Sequence, residues 1–357
     1  MTAPEPAVLL HTHGRAAHIQ LNRPGALNAL THAMVCTIGR ALDDWQDDPA
    51  VETVVLTGAG ERGLCAGGDI RAIHADARTG GAASRAFWRD EYHLNARIAR
   101  YPKPYVAILD GIVMGGGVGI AAHGSVRLVT ERSRVAMPET GIGFVPDVGG
   151  THLLGLAPGE LGTHLALTGT ALGAGDALRC GLADHFVPAA ALPTLVDQLA
   201  QAPVRDVLAR HVQDTPPGEL DAQRHWIDAC YGAPTVPDIL DLLLSHGAPE
   251  AKEAAEVLLT KSPTALTVTL AALRRARGLG SLEAVLDQEY RVSCAALDSH
   301  DLVEGIRAQV IDKDRTPHWR PETLAEVTET DVARYFAPLG DQELGLAAGP
   351  RTEEVPW

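Results

Sequence analysis

The feature that most constrains the fold is the run Asp110-Gly-Ile-Val-Met-Gly-Gly-Gly-Val-Gly-Ile-Ala-Ala, which follows the apolar, strand-like stretch Tyr105–Leu109. Gly115, Gly116 and Gly117 carry no side chains, so a substrate can approach their N–H groups closely. The run opens a helix, whose first turn offers unsatisfied N–H groups and the positive end of a dipole. Strand, glycine turn and helix in that order suit a site that stabilises negative charge on oxygen. Glu139 in Met137-Pro-Glu-Thr and Asp147 in Pro146-Asp-Val-Gly-Gly follow on short Gly/Pro-rich connections, where catalytic groups concentrate.

The surrounding pattern predicts an α/β core. Two strands, Ala7–His11 and Ala17–Leu21, turn at Gly14. Thr31 caps a helix running to about Asp47, and Val51–Thr57 is the β-branched run of a buried strand. Helices follow at Ile70–Ala77 and Ala83–Arg100, with Pro102 and Pro104 as a stop before Tyr105–Leu109. Further strands are expected at Val126–Thr130 and Arg134–Met137. Beyond Thr151 the pattern is mostly helical. It divides the chain into a core with the active site (7–200), a helical and loop connection (201–250), a helical C-terminal region (251–340) and a tail (341–357) that is loose from Gly345.

Composition narrows the function. A formal net charge of −15 opposes general nucleic-acid binding, which needs a basic face. No apolar run is long enough to cross a bilayer, and the first residues lack the pattern of a leader, so a soluble cytoplasmic protein is expected. The five cysteines are scattered, which suggests reduced thiols, and Cys65 reads as a small packed residue. No metal-ligand spacing appears; His11 and His13 share strand parity but read as solvated histidines.

The ordered motifs then point further. They are Asn22-Arg-Pro…Leu27-Asn-Ala-Leu, Leu64-Cys-Ala-Gly-Gly-Asp-Ile, Lys103-Pro-Tyr-Val-Ala, Met114-Gly-Gly-Gly-Val-Gly, Ala136-Met-Pro-Glu-Thr and Pro146-Asp-Val-Gly-Gly. With Lys261-Ser-Pro-Thr, Glu289-Tyr-Arg and Glu304-Gly-Ile-Arg-Ala downstream, the chain resembles the crotonase superfamily of acyl-coenzyme A enzymes across roughly residues 8 to 325. Within it, the resemblance is closer to the branch that hydrolyses 3-hydroxyisobutyryl-CoA. It implies a ClpP-like spiral of ββα units with two nearly perpendicular sheets and a helical C-terminal region.

The resemblance also implies a site. The thioester oxygen falls to the backbone N–H groups of Gly68 and Gly116. Hydratases of the superfamily use two glutamates; here the first position is Gly119 and the second is Glu139. A single glutamate with an added Asp147 matches the hydrolase branch. Glu139 either activates water as general base or attacks the thioester itself, giving a mixed anhydride that water cleaves. Asp147 is a helix N-cap, an orienter of water, or a partner of the substrate 3-hydroxyl. Glu91 matches a contact to that hydroxyl, and Asp69 a helix cap. Arg23 is the best placed of the basic residues for the coenzyme A phosphates; Arg62, Arg71, Lys103, Lys313 and Arg315 are others. His123 reads as a residue at a helix end.

The implied activity is cleavage of (S)-3-hydroxyisobutyryl-CoA in valine breakdown. No cofactor is expected beyond the coenzyme A of the substrate. No nucleic-acid or membrane partner is expected, and a homotrimer or hexamer is. An enoyl-CoA hydratase or isomerase and a non-catalytic acyl-CoA-binding protein are the alternatives.

Overall fold

A computed structural model describes residues 5–347. Eight strands form in the order β1 (Val8–His13), β2 (Ala16–Leu21), β3 (Thr53–Gly58), β4 (Tyr105–Leu109), β5 (Ile112–Met114), β6 (Val126–Val129), β7 (Arg134–Ala136) and β8 (His185–Phe186). Six of them make one sheet in the order β1-β2-β3-β4-β6-β8, and β5 pairs with β7 in a second sheet. Only β1 and β2 are antiparallel; every later pairing is parallel.

Parallel strands need helical crossovers and end up buried on both faces. The sequence of β4, Tyr-Val-Ala-Ile-Leu, meets that demand with no exposed residue. One face of the main sheet, through Val55, Val106 and Leu128, packs on helices Leu192–Leu199 and Val204–His211. The other face, through Val54, Leu56 and Ala107, joins a single buried cluster that runs from Val8 to Leu344. The C-terminal helices therefore share this core.

The chain passes from the main sheet to the second at Gly111, whose φ of +67° and tight approach to the Arg62 carbonyl require glycine. Successive turns of the spiral repeat that passage. Cys65 pairs with Val113 in a parallel bridge, and Val113 pairs with Val135. Three residues past Cys65 and Val113 lie Gly68 and Gly116, and four past Val135 lies Glu139. The register of the small sheet thus delivers these three residues side by side at the carboxyl ends of its strands, the usual place for a ligand crevice in parallel sheets.

Most expected elements form within one or two residues of their predicted ends. The helix His300–Ile306 continues over Arg307–Ile311 as a π-turn. Two regions depart further from expectation. The stretch 201–250 is no mere connection: helices Leu220–Tyr231 and Val236–Ser245 form within it. Trp226 and Tyr231 are fully buried there, edge-on against His164 at 5.5 and 5.0 Å between ring centroids. The end, expected to be loose from Gly345, is tied down as far as it is described: the Leu346 and Ala347 N–H groups donate to the Asp287 carboxylate at 2.8 and 3.0 Å, and the residues just before it are held too. Arg291 holds the Glu343 carboxylate at 2.9 Å, Arg89 donates to the Glu343 and Gln342 carbonyls, and Leu344 is buried. Residues 348–357 lie outside the described residues.

Candidate active site

A cavity of about 330 Å³ opens at the carboxyl ends of β5 and β7. Its lining brings together Gly68, Glu91, Gly116, Glu139 and Asp147. Phe87 and Leu302 are among its apolar lining residues, and Trp88 and Phe144 stack face to face at 5.4 Å beside them.

The two backbone donors arise from local geometry. Gly68 forms a parallel bridge with Leu30, in which Leu30 N–H donates to Gly67 and Asp69 N–H donates to Leu30, each at 2.8 Å. A parallel bridge uses the neighbours' groups and turns the central N–H the other way. That direction is toward Gly116, where a Cβ would lie 3.4 Å from Gly68 N. Gly116 is the first residue of the helix Gly116–Ala121, after Gly115 at φ +49°. Its N–H is one of the orphan donors of a helix start. Among the described residues neither N–H has a hydrogen-bond acceptor. Two free, converging donors at the wall of an apolar cavity form an oxyanion-binding arrangement.

Three buried carboxylates face them. Glu139 opens the short turn Glu139–Ile142; its Oε1 would stand 2.8 Å from a Cβ on Gly115, and its Oε2 has no partner. Glu91 projects from the helix Ala82–Ala99, with Oε1 2.5 Å from where a Gly116 Cβ would sit, also without a partner. Asp147 accepts from Tyr92 Oη at 2.7 Å, and that hydroxyl meets Ser293 Oγ at 2.7 Å. Burial raises all three pKa values, and the Asp147 charge adds to the rise at Glu91 and Glu139. Asp147 itself is pushed up to about 7, with the Tyr92 hydrogen bond opposing the rise.

Asp147 is not a helix cap. The helix Gly150–Gly155 is capped at Gly149 with no side-chain bond from its own neighbourhood. Its first N–H groups go to Glu289, far along the chain: Gly149 and Thr151 donate at 2.6 and 2.9 Å, and the Thr151 hydroxyl at 2.5 Å. Between Asp147 and Gly149, Val148 holds a φ of +54°, an outlier for a β-branched residue that costs about 1–3 kcal/mol. Glu289 on one side, and His123 Nε2 at 2.8 Å from the Val148 carbonyl on the other, keep it there. His123 thus braces the Asp147 loop rather than a helix end. Burial holds its pKa down to about 4, which leaves it neutral. Glu289→Ala strands two buried N–H groups, each worth about 1–3 kcal/mol. The expected result is a melting temperature several degrees lower, read by calorimetry.

Arg23, expected at the coenzyme A phosphates, sits beside the Gly68 loop. It does not line the cavity. Its guanidinium donates to the Ala29 carbonyl at 2.5 Å and to Asp69 at 3.0 Å, so it fixes the loop that shapes Gly68. Asp69 caps the helix Ile70–Ala77, as expected. Lys103 is spent on the Trp45 and Asp48 carbonyls, and Arg71 on the Val310 carbonyl. The cation that does line the cavity is Lys261, half-buried, with its pKa lowered by burial. Sequence reasoning singled out its motif without giving it a role, and the same holds for Glu289. Tyr92 and Ser293 gave no signal at all.

Cys65 is packed and inert, its thiol pushed up to about 12 by burial. All five cysteines are free. Among the described residues no helix is long and apolar enough to cross a membrane.

Known proteins place this geometry. A family model described as Enoyl-CoA hydratase/isomerase matches residues 16–336. The chain is 42% identical over 348 residues to a rat protein named 3-hydroxyisobutyryl-CoA hydrolase, mitochondrial, covering 94% of this chain and 90% of that one. The human protein of the same name is 40% identical over 348 residues, covering 94% and 90%. Among solved structures, a carnitinyl-CoA dehydratase from Mycobacterium thermoresistibile superposes with a TM-score of 0.93 at 56% identity, covering 95% of this chain and 98% of that one. An enoyl-CoA hydratase from Rhodobacter sphaeroides does so with a TM-score of 0.90 at 45% identity, covering 95% and 99%. From the spiral, the motifs and these relatives together, the chain belongs to the enoyl-CoA hydratase/isomerase family, that is, to the crotonase superfamily.

Proposed function

We propose that this protein hydrolyses (S)-3-hydroxyisobutyryl-CoA to 3-hydroxyisobutyrate and coenzyme A. The observation that carries the reading is the environment of Gly119. A Cβ there would meet Val148 Cβ at 2.6 Å and Asn95 Nδ2 at 3.0 Å, so the first glutamate of a hydratase has no room. The cavity keeps Glu139 and adds Asp147 and Glu91. The relatives named as hydrolases support the same substrate.

In this reading the thioester oxygen sits between the Gly68 and Gly116 N–H groups. Fixed donors of this kind contribute about 3–4 kcal/mol each to lowering the barrier. Glu139 then acts by one of two routes. As general base, it takes a proton from water, whose oxygen bonds to the carbonyl carbon while the C–S bond breaks. As nucleophile, it forms the mixed anhydride first, and water cleaves that. In both, the departing sulfur takes up a proton, and coenzyme A leaves as a thiol. The unpartnered Glu91 Oε1 is free to accept from the substrate 3-hydroxyl, and Asp147, held by Tyr92, orients the water. A site built around a hydroxyl rejects acyl chains that lack one strongly. Every step falls to backbone, carboxylate and water, with coenzyme A entering as part of the substrate.

The same reading places the reaction in valine breakdown and in a reducing compartment, which the free cysteines fit; the relatives are named as mitochondrial, and the cytoplasm fits equally. Self-association as a trimer or hexamer belongs to it too, and the exposed Leu244 and Leu259 supply apolar surface for it.

The names of the solved relatives favour a second reading, hydration or dehydration of another acyl-CoA. Thiol release from (S)-3-hydroxyisobutyryl-CoA, measured beside hydration of crotonyl-CoA, separates them. Fast thiol release with little hydration is the expected result. Hydration without thiol release overturns the proposal, and binding without turnover of either makes the protein an acyl-CoA carrier.

A further inference from the structure

We propose that His32, Cys36 and Asp90 bind one divalent transition-metal ion of the zinc type and so clamp the helix His32–Gln46 to the helix Ala82–Ala99. His32 and Cys36 stand four residues apart, on one face of the first helix. Asp90 reaches them from the second. One ligand atom from each lies within 4.8 Å of the other two, the sole such trio of His, Cys, Asp or Glu among the described residues. Asp90 Oδ2 is 2.6 Å from His32 Nε2 and 3.8 Å from Cys36 Sγ.

Those separations bracket what a tetrahedral ion requires. Metal–ligand lengths near 2.0–2.3 Å put the donors about 3.4–3.6 Å apart. The His32–Asp90 hydrogen bond therefore opens by less than about 1 Å to admit the ion, and the side chains are exposed enough to make that turn. Arg40, one turn beyond Cys36, donates to the Thr37 hydroxyl at 3.4 Å. One thiolate, one imidazole and one carboxylate favour zinc or cobalt and disfavour magnesium and calcium, which take oxygen ligands. Binding replaces the thiol proton by the sulfur–metal bond, and the proton leaves to solvent. The fourth position stays with water.

The clamp lies behind the cavity. Asp90 immediately precedes Glu91, and the His32 ring meets Phe87 edge-on at 6.4 Å. Phe87 lines the cavity and would touch a Cβ on Gly68 at 3.3 Å. A bound ion would therefore tether the outer face of the helix turn whose inner face touches substrate. The proposal stands apart from the reaction assigned to the cavity, and its test does not read activity.

The test is titration of the reduced, metal-free protein with Co²⁺, followed by absorption. The expected result is saturation at one ion per chain, with visible bands of tetrahedral intensity and a near-ultraviolet thiolate-to-cobalt band that Zn²⁺ bleaches. Cys36→Ser loses the near-ultraviolet band. Both Cys36→Ser and His32→Ala bind about 10- to 100-fold more weakly, a loss that even removal of a ligand's hydrogen-bond partner produces. Absence of saturable binding overturns the proposal. So does cobalt binding without the thiolate band, or with the same affinity in both variants, since the ion then sits elsewhere. Circular dichroism of each variant shows whether its fold is intact. If one variant fails to fold, the wild-type bands and the other variant decide.

Discussion

Glu139→Gln leaves a folded protein whose thiol release from (S)-3-hydroxyisobutyryl-CoA drops by about 10²- to 10⁴-fold, the scale of a lost general base. The amide can neither take a proton from water nor attack the carbonyl, so both routes stop at the same residue. The wild-type pH profile carries the same information. Burial, with Asp147 as a second cause, holds the Glu139 carboxyl well above the ordinary range, so the active, ionised form grows only as pH rises through that value. The acid limb of kcat/KM therefore lies well above pH ~4.5, and Asp147→Asn moves it down by removing the neighbouring charge. Stability runs the other way. A carboxyl with a raised pKa in the folded state stabilises the fold fully below its unfolded value and loses that contribution as pH rises through the folded one. Gln escapes the loss. The inactive variant should thus melt higher than wild type near pH ~8, with the gap closing near pH ~5. Unchanged thiol release, or a melting temperature below wild type at both pH values, contradicts this account of Glu139.

Gly116→Ala gives the second large loss, about 10²- to 10³-fold in kcat/KM, comparable to deleting one oxyanion donor. The backbone N–H remains. The added methyl enters the space between the two donors, 3.4 Å from Gly68 N, 3.2 Å from Leu30 Cδ1 and 2.5 Å from Glu91 Oε1. Glu91 must swing away, and the thioester oxygen loses its seat. Steady-state kinetics distinguish this from general damage, because kcat falls while circular dichroism and melting stay near wild type. A variant with wild-type kcat would show that the thioester oxygen binds elsewhere.

Gly68 and Gly116 were picked out by the family motifs that carry them, while the triple glycine after a strand and Glu139 on a proline-flanked turn also gave a local signal. The register linking Cys65, Val113 and Val135 then brought them together without further specification. Asp147 was legible as a residue but not in its setting, since what could be a cap from the sequence alone is the work of Glu289, 138 residues from Thr151. The structural partner of Arg23 was hidden by distance along the chain. Arg23 lies in a site motif, and its guanidinium pairs with Asp69, 46 residues on. The helix Leu220–Tyr231 was hidden by the Pro, Asp and Gly residues around it, and burial of Trp226 and Tyr231 overrides those local breakers. His32 and Asp90 are 58 residues apart, and no spacing rule joins them.

The dependence of the Asp147 loop on Glu289 sets an order of events during synthesis. The sheets and the oxyanion glycines have left the ribosome while the segment that pins Val148 is still untranslated. At the usual elongation rate that interval lasts roughly ten seconds or more. A nascent or prematurely terminated chain that has folded its sheets therefore holds the Asp147 loop from the His123 side alone. The Asp147 loop reaches its final form only when the helix Leu282–Leu297 docks and brings Glu289 to Gly149 and Thr151.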